Sequence, residues 1–168
     1  MLTIETNQTS YGARLVTTQP YATGQLIHTI THYRLTATPT YQSIQIGANR
    51  HIEDLDVIAY LNHSCHPNVI VDTTALTISA ARAIAAGEEL TFFYPSTEWA
   101  MARPFICQCG ARHCLSLVAG AKYLAVDRLA HYFINQHIRD LLVQALNSAG
   151  VRPEHRLPSY APLLATAA

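Results

Sequence analysis

The cysteines constrain this chain more than any other feature of its sequence. Three of the four cysteines lie together as Cys107, Cys109 and Cys114, in a C-x-C-x4-C pattern, and Cys65 lies far upstream. Tetrahedral zinc takes four ligands such as thiolates at about 2.3 Å, and Cys65 is the only thiol left to complete such a set. His113 could replace a cysteine as a ligand, but its position beside Cys114 favours a surface histidine. The pattern therefore favours a structural zinc site over free buried cysteines, which behave as small apolar residues.

The composition is that of a globular domain without a strong net charge. The chain has 168 residues, 49% of them apolar, which suits one domain with small appendages. Eleven basic residues balance eleven acidic ones, so no basic field favours direct contact with nucleic acid. The N-terminus has neither a basic nor a long apolar segment, and no apolar run is long enough to span a membrane. We therefore expect a soluble intracellular protein without membrane contact, cytoplasmic by default, with a nuclear location left open.

Hydrophobic patterns divide the chain into a strand-rich part and a helical end. Short β-branched and aromatic segments, separated by turn residues, predict strands at 11–16, 25–31, 41–46, 69–71, 76–81 and 89–94. The spacing of apolar residues over 54–61 predicts about two turns of helix. Over 121–148 it predicts one long helix, or two in series with a bend near Asn135. The prolines after Gly150 exclude a regular element there.

Two further motifs accompany the cysteines in a fixed order. Asn-His-Ser-Cys-His-Pro-Asn occupies 62–68, and Glu-Leu-Thr-Phe-Phe-Tyr occupies 89–94. With the C-x-C-x4-C pattern that follows them, these motifs resemble the SET domain with a post-SET zinc loop. This is the family of lysine methyltransferases that use S-adenosylmethionine, and the resemblance covers about residues 2–120.

The resemblance implies an architecture and boundaries. The implied fold is mainly β with α structure, a β-clip-like set of small sheets in which the 62–68 segment passes beneath a loop in a pseudoknot. It further implies a SET domain at 1–106 and a post-SET zinc loop at 107–120. The hydrophobic spacing and the prolines that follow it add a C-terminal helical extension at 121–150 and a tail at 151–168.

The resemblance also assigns contacts to the cofactor. Asn62 and His63 would hold the methionine and adenine parts of S-adenosylmethionine, largely through backbone groups and the Asn amide. Where the family has Gly-x-Gly, this chain replaces the second glycine with an arginine, which fits only if its φ angle is compatible. The residues of that segment are Gly12, Ala13, Arg14 and Leu15.

The implied lysine channel falls on aromatic residues. Tyr94 would be the catalytic tyrosine at the channel floor. Tyr41 would be a second channel tyrosine, with core packing as an equal alternative. Phe92 stands where the family carries Tyr or Phe, and the absent hydroxyl leaves room for a methylated amine to turn. Trp99 and Phe105 would wall the channel, with ordinary packing at least as good an explanation.

The implied zinc ion is a single structural one. Four thiolates leave no open coordination position for water, so the ion would do no chemistry. It would instead join Cys65, next to the cofactor site, to the loop that covers this site. Leu115 or Leu117 of that loop would then lie against the adenine.

The sequence therefore predicts a methyltransferase that acts on a lysine side-chain amine of a protein or peptide, able to di- or trimethylate, as a monomer or a homodimer. One alternative is a SET-like binding or scaffold module without turnover, which Arg14 and Phe93 suggest. The other is a zinc-stabilised interaction protein without a cofactor site. A histone tail, another protein and a small peptide all stay open as the substrate.

Overall fold

The structure is a computed structural model and describes residues 1–9 and 12–148. Its strands are β1 (Leu2–Thr9), β2 (Gly12–Thr17), β3 (Leu26–Thr29), β4 (Arg34–Thr36), β5 (Ile44–Gly47), β6 (Arg50–Glu53), β7 (Asn62–His63), β8 (Val69–Asp72), β9 (Thr77–Ala80), β10 (Thr91–Phe92), β11 (Phe105–Ile106) and β12 (Leu117–Val118). Its α-helices are α1 (Val126–Leu129) and α2 (Gln136–Ser148), and 3-10 turns occur at Asp56–Tyr60, Tyr94–Ser96 and Ala121–Tyr123. Among the described residues, no helix is long and apolar enough to cross a membrane.

The strands form several small sheets. β1 and β2 make an antiparallel pair, β4, β6 and β5 make a second sheet, and β3, β9 and β8 make a third. Two pairs of very short strands complete the set: β7 runs parallel to β10, and β11 runs antiparallel to β12. The turn between β8 and β9 is closed by Asp72, whose Oδ1 accepts hydrogen bonds from the N–H groups of Thr74 and Ala75.

One apolar cluster holds the larger sheets together. In β8 and β9 the buried residues alternate with partly exposed ones, so that Val71 and Ile78 face the core. Leu15 of β2 and Ile52 of β6 are fully buried in the same cluster, as is Leu90 with 1% exposure. Each such side chain contributes about 1.5–3 kcal/mol relative to an exposed position. The site described below rests on this cluster.

A second apolar cluster docks the C-terminal helices onto the body, and a buried asparagine anchors them. Leu129 of α1 and Ile138 of α2 are fully buried there. The Asn135 Nδ2 donates to the carbonyl of Val71 at 2.9 Å, and its Oδ1 accepts from the N–H of Thr73 at 2.8 Å. The amide therefore ties the start of α2 to the turn after β8.

Two predicted elements differ from the structure for physical reasons, and a third agrees with one of its two predicted alternatives. The helix predicted at 54–61 is a single 3-10 segment, which is common for so short a connector. Of the strand predicted at 89–94, Thr91–Phe92 pairs with β7 and Glu89 makes an isolated bridge to Val16. The strand stops there because Tyr94 begins a 3-10 turn with Pro95, which lacks an N–H. The region 121–148 agrees with the alternative of two helices in series, since α1 and α2 follow a 3-10 turn and the break between them ends at Asn135, whose amide binds other segments. The tail predicted at 151–168 lies outside the described residues.

Candidate active site

Two short parallel strands position the first motif. The register pairs Asn62 of β7 with Thr91 of β10, and His63 with Phe92. Asn68 closes the loop that follows: its Oδ1 accepts from the Thr91 N–H at 2.8 Å, and its own N–H donates to the Thr91 carbonyl at 3.1 Å. Asn68 is 1% exposed, so its polar groups satisfy buried backbone where two distant segments meet.

The amide of Asn62 joins the first motif to the N-terminal hairpin. Its Nδ2 donates to the carbonyl of Ala13 and to Oε1 of Glu89, both at 2.9 Å. Both donors are thus used within the chain, and Oδ1 is the atom left to accept from a ligand. Arg14, beside Ala13, lies in β2 without a positive φ angle, and its side chain binds Glu5 at 2.7 Å. Strand backbone at this position therefore accommodates the arginine.

His63 links this turn to the cysteines. Its Nδ1 accepts a hydrogen bond from the N–H of Tyr94 at 3.3 Å, so Nε2 carries the proton of the neutral ring. Nε2 lies 3.2 Å from Sγ of Cys65 and can donate to it. Burial lowers the pKa of His63 to about 4, which keeps the ring neutral near pH 7.

The hydroxyl of Tyr94 is oriented by the backbone. It donates to the carbonyl of Leu61 at 2.8 Å, so its proton is committed and its lone pairs remain as acceptors. Burial, together with the carboxylates of Glu98 and Glu89, raises the pKa of Tyr94 well above its usual value. The side chain is therefore a neutral phenol at physiological pH and an oriented oxygen acceptor, rather than a phenolate base.

Tyr94 lines an open cleft of about 730 Å³. The ring of Phe92 is 4.7 Å from that of Tyr94, and Phe105 meets Tyr94 edge-on at 6.1 Å, both measured between centroids. Tyr41 lies at the rim with 66% of its surface exposed, and the guanidinium of Arg103 lies 5.0 Å from its ring centroid. The cleft thus has an aromatic lining and a solvent-exposed entrance.

The structure places several predicted residues outside this cleft. Trp99 packs in the second apolar cluster and is absent from the cleft wall. Leu117 is 51% exposed on β12, and it does not line the cleft either. Leu15 is fully buried in the core, so its side chain is closed to a ligand. Leu115 packs between the second cluster and the cysteines.

A second cleft, of about 910 Å³, lies between the cysteine loop and α1. It is lined by Phe93 and Tyr132, whose rings stack at 3.6 Å, and it includes Leu115. It lacks Tyr94 and Asn62, so despite its larger volume it is not the candidate active site.

The structure brings the four cysteines into one group. Their Sγ atoms all lie within 4.8 Å of one another, and those of Cys65 and Cys107 are 4.0 Å apart. Zinc–sulfur bonds of about 2.3 Å in a tetrahedron separate the sulfurs by about 3.8 Å, so the arrangement suits this ion. The N–H of Leu115 donates to Sγ of Cys65 at 3.3 Å, as it would to a thiolate. His113 is exposed and does not belong to the group.

The acidities of these thiols are uneven. Burial raises the pKa of Cys65 far above its usual value and that of Cys107 to about 11. Burial also opposes ionisation of Cys109, but hydrogen bonds from Ala111 and from its cysteine neighbours lower its pKa to about 7. Four thiolates at this spacing would repel one another strongly, so a dication is the natural counter-charge.

Glu98 is a site residue that the sequence analysis missed. It lies in the cleft wall, four positions after Tyr94, and it is 9% exposed. The signal available in the sequence was a carboxylate in Ser96-Thr97-Glu98-Trp99, directly after the tyrosine motif. Nothing in that pattern indicates burial, because the backbone donor that holds its carboxylate, the N–H of Gln45 in β5, is 53 positions away.

Comparison with known proteins agrees with the fold and the motifs. The SET domain family matches residues 13–95. Methyltransferase flvH of Aspergillus flavus is 45% identical over 105 residues, which are 61% of this chain and 59% of that protein. The H3 lysine-36 specific histone-lysine N-methyltransferase of Chaetomium globosum is 40% identical over 67 residues, 36% of this chain and only 7% of that protein.

A solved structure adds a likeness of fold. It is KRYPTONITE in complex with mCHG DNA and SAH, which matches with a TM-score of 0.55 and 21% identity. The match covers 69% of this chain and 29% of that one. The mainly β fold predicted from the motifs is confirmed, and so is the predicted family. Residues 13–95, which are the matched part of the chain, belong to the SET-domain family.

Proposed function

We propose that this protein transfers methyl groups from S-adenosylmethionine to a lysine side-chain amine of a protein or peptide. The observation that carries the proposal is the hydroxyl of Tyr94, neutral and fixed on the carbonyl of Leu61, within a cleft that also contains Asn62 and His63. The relatives named as methyltransferases support the proposal, although this chain spans 59% of one and 7% of the other.

The residues of the cleft would act mainly by positioning. When bound, S-adenosylmethionine supplies an electrophilic methyl group on a sulfonium. The Tyr94 oxygen would accept weak C–H···O contacts that orient this group, and Oδ1 of Asn62 would accept from the cofactor's polar groups. The rings of Phe92 and Phe105 exclude water from one side of the amine, which favours its uncharged, nucleophilic form.

The cysteine group would hold one structural zinc ion. The donor set is four thiols at nearly tetrahedral spacing, which leaves no position for substrate water. Zinc there would tie the segment containing Cys107 and Cys109, which forms part of the cleft wall, to Cys65 beside His63. The role of the metal would be to complete the cleft and not to perform chemistry.

The degree of methylation would depend on Phe92. Its ring lacks a hydroxyl and packs 4.7 Å from Tyr94, so no hydrogen bond fixes a methylated amine in one orientation. We expect di- or trimethylated product from the wild type and mainly monomethylated product from Phe92→Tyr. Trimethylated product from that variant, identified by mass spectrometry, would contradict this role.

The experiment that tests the proposal is methyl transfer with labelled S-adenosylmethionine. Histone octamers, lysine-bearing peptides and a cell lysate would be offered in parallel, with Tyr94→Phe as the blank. Tyr123→Phe is the matched control, because Tyr123 is 61% exposed and lies outside the cleft. We expect label on lysines with the wild type and with Tyr123→Phe only.

Calorimetry with S-adenosylhomocysteine separates the alternatives. Binding without methylation of any acceptor would favour a scaffold module, and no binding would favour an interaction protein without a cofactor site. We further propose that the protein is intracellular, and cytoplasmic by default. We also propose that it acts as a monomer or homodimer and makes no direct contact with nucleic acid.

A further inference from the structure

Glu98 is a buried carboxylic acid in the wall of the candidate cleft. Only 9% of its surface is exposed, and it lines the cleft together with Tyr94 and Phe92. It is the only Asp or Glu among the described residues that line this cleft. Carboxylic acids are rarely buried without a compensating charge, because burial of an unpaired carboxylate is costly.

The hydrogen bonds of Glu98 hold one carboxylate oxygen and leave the other without a donor among the residues that the structure describes. Oε1 accepts from the N–H of Gln45 at 2.8 Å and from the hydroxyl of Thr97 at 3.1 Å. Within the described part of the chain, no donor reaches Oε2, and this atom is not sealed in the interior. The carboxylate is therefore anchored by one oxygen and presents the other to a ligand.

The backbone of Glu98 is held just as firmly. Its N–H donates to the carbonyl of Tyr94 at 3.0 Å, and its own carbonyl accepts from Ala121 at 2.8 Å. Gly120 makes this second contact possible, because a Cβ there would lie 2.5 Å from the carbonyl oxygen of Trp99. Tyrosine and carboxylate are thus parts of one rigid turn.

Within residues 1–9 and 12–148, Glu98 forms no ion pair with a basic side chain. The guanidinium of Arg103 lies over Tyr41 at the rim, and burial lowers the pKa of His51 and of His137 behind Glu98, so both rings are neutral near pH 7. Burial also raises the pKa of Glu98 itself to about 7. The titratable groups around it are Tyr41, His63, Tyr94, Arg103, Cys107 and Cys109 along the cleft, and His51 and His137 on the side of β5 and α2.

We propose that Oε2 of Glu98 receives the ammonium group of the acceptor and takes its proton, so that the amine reaches Tyr94 as a free base. This inference rests on the proposed function, since it supposes an amine acceptor. In the transfer, one N–H bond of the ammonium breaks and its electron pair remains on nitrogen. An O–H bond forms on Oε2, and the proton later leaves to water at the open mouth of the cleft.

A glutamine at position 98 isolates this role from a structural one. Its side-chain carbonyl can still accept from Gln45 and Thr97, so Glu98→Gln keeps both bonds while it removes the charge and the basic oxygen. Asp140→Asn is the matched control, because Asp140 is exposed on α2, its partner is Gln136, and neither residue lines the cleft. Both variants would first be compared with the wild type in thermal unfolding.

The first measurement is the pH dependence of kcat/KM with any acceptor that the wild type methylates. A positioned base typically contributes about 10²–10⁴-fold, so we expect at least a 100-fold loss in Glu98→Gln at pH 7.5. The loss should shrink as the pH approaches the amine's own pKa of about 10.4, where no base is needed. A loss that is equal at every pH, or no loss, would overturn the proposal.

The second measurement needs no turnover. Binding of n-pentylamine and of its neutral analogue 1-pentanol would be followed by NMR at pH 8, with S-adenosylhomocysteine present. We expect the wild type and Asp140→Asn to bind the amine at least tenfold more tightly than the alcohol, and Glu98→Gln to bind both alike. Equal affinities in the wild type would overturn the proposal even if Glu98→Gln did not fold.

The two measurements also separate this inference from the proposed function. Selective binding of the amine by a wild type that methylates nothing would reject the proposed function and retain amine recognition by Glu98. Methylation that is unaltered by Glu98→Gln at every pH would retain the proposed function and reject the role of Glu98.

Discussion

The two walls of the cleft are stabilised by different means. The core wall, formed by Ile58, Leu61, Phe92 and Tyr94, belongs to the large apolar cluster. The cysteine wall, formed by residues 101–109, is attached through the two-residue pair of β11 and β12 and a small cluster around Cys65 and Cys107. Phe105 and Ile106 in it are 36% and 68% exposed. Apolar burial therefore fixes one wall, whereas the other depends on four thiols.

Loss of the metal should break the cysteine wall and spare the core wall. Cys114→Ser removes one ligand, and structural zinc sites in small peptides contribute about 10–16 kcal/mol to folding at pH 7. We expect at least a 100-fold loss of methyl transfer and loss of bound zinc, with cooperative unfolding of the core retained. Metal analysis, labelled transfer and thermal unfolding monitored by circular dichroism would measure the three quantities.

His113→Ala is the matched control for this variant. His113 is exposed, is adjacent to Cys114 in sequence and lies outside the thiol group. It should keep its zinc and its activity. Loss of zinc from His113→Ala, or full turnover after removal of zinc with a chelator, would contradict the assignment of the wall to the four thiols.

A cavity in the core should have the opposite effect. Ile78 is fully buried at the centre of β9, and truncation of Ile to Ala in a core typically costs about 2–5 kcal/mol. We expect Ile78→Ala to lower the free energy of unfolding by that amount in urea titration, with zinc content unchanged in the folded protein. Ile106→Ala, at a residue that is 68% exposed, should change stability by less than about 0.5 kcal/mol. Zinc loss from folded Ile78→Ala would show that the walls are not independent.

The contrast between the walls also explains what the sequence could predict. The hairpin of β8 and β9 and the convergence of the cysteines follow from local alternation and from ligand spacing. The pairing of β7 with β10 does not, because strands of two residues carry no periodicity. Glu98 was missed as a site residue, and the anchoring role of Asn135 was missed as well, because their partners, Gln45 and Thr73, are 53 and 62 positions away. Buried polar contacts between distant segments leave no local pattern.

Removal of the buried amide at the start of α2 tests how the C-terminal extension supports the core wall. Asn135→Ala would leave the N–H of Thr73 and the carbonyl of Val71 without partners, and each unsatisfied buried group costs about 1–3 kcal/mol. We expect a loss of about 2–4 kcal/mol in urea unfolding, with zinc content intact. Gln144→Ala, at an exposed position of the same helix, should be nearly neutral. A cost below about 0.5 kcal/mol for Asn135→Ala would show that the extension does not support the core.

The smallest predicted effect is a pH dependence that arises behind the core wall. His137 is buried, its Nε2 donates to the carbonyl of Thr97 at 2.8 Å, and burial lowers its pKa. The unfolded chain has an ordinary histidine pKa of about 6.5, so just below this pH it binds a proton that His137 in the folded chain does not bind. This contribution to stability is complete above pH 6.5 and is lost as the pH falls below it, by at most about 1.4 kcal/mol per pH unit.

Urea unfolding at pH 7.5 and 5.5, on the wild type and on His137→Gln, would measure this term. The glutamine can still donate to Thr97 but does not titrate, so the variant should lose less stability on acidification than the wild type. The raised pKa of Glu98 acts in the opposite sense: its contribution is present below about pH 4.5 and is lost as the pH rises through 7. Glu98, His51 and the cysteines occur in both proteins, so their terms cancel in the difference. An equal loss in the two proteins would mean that protonation of His137 does not limit the stability of the core wall in acid.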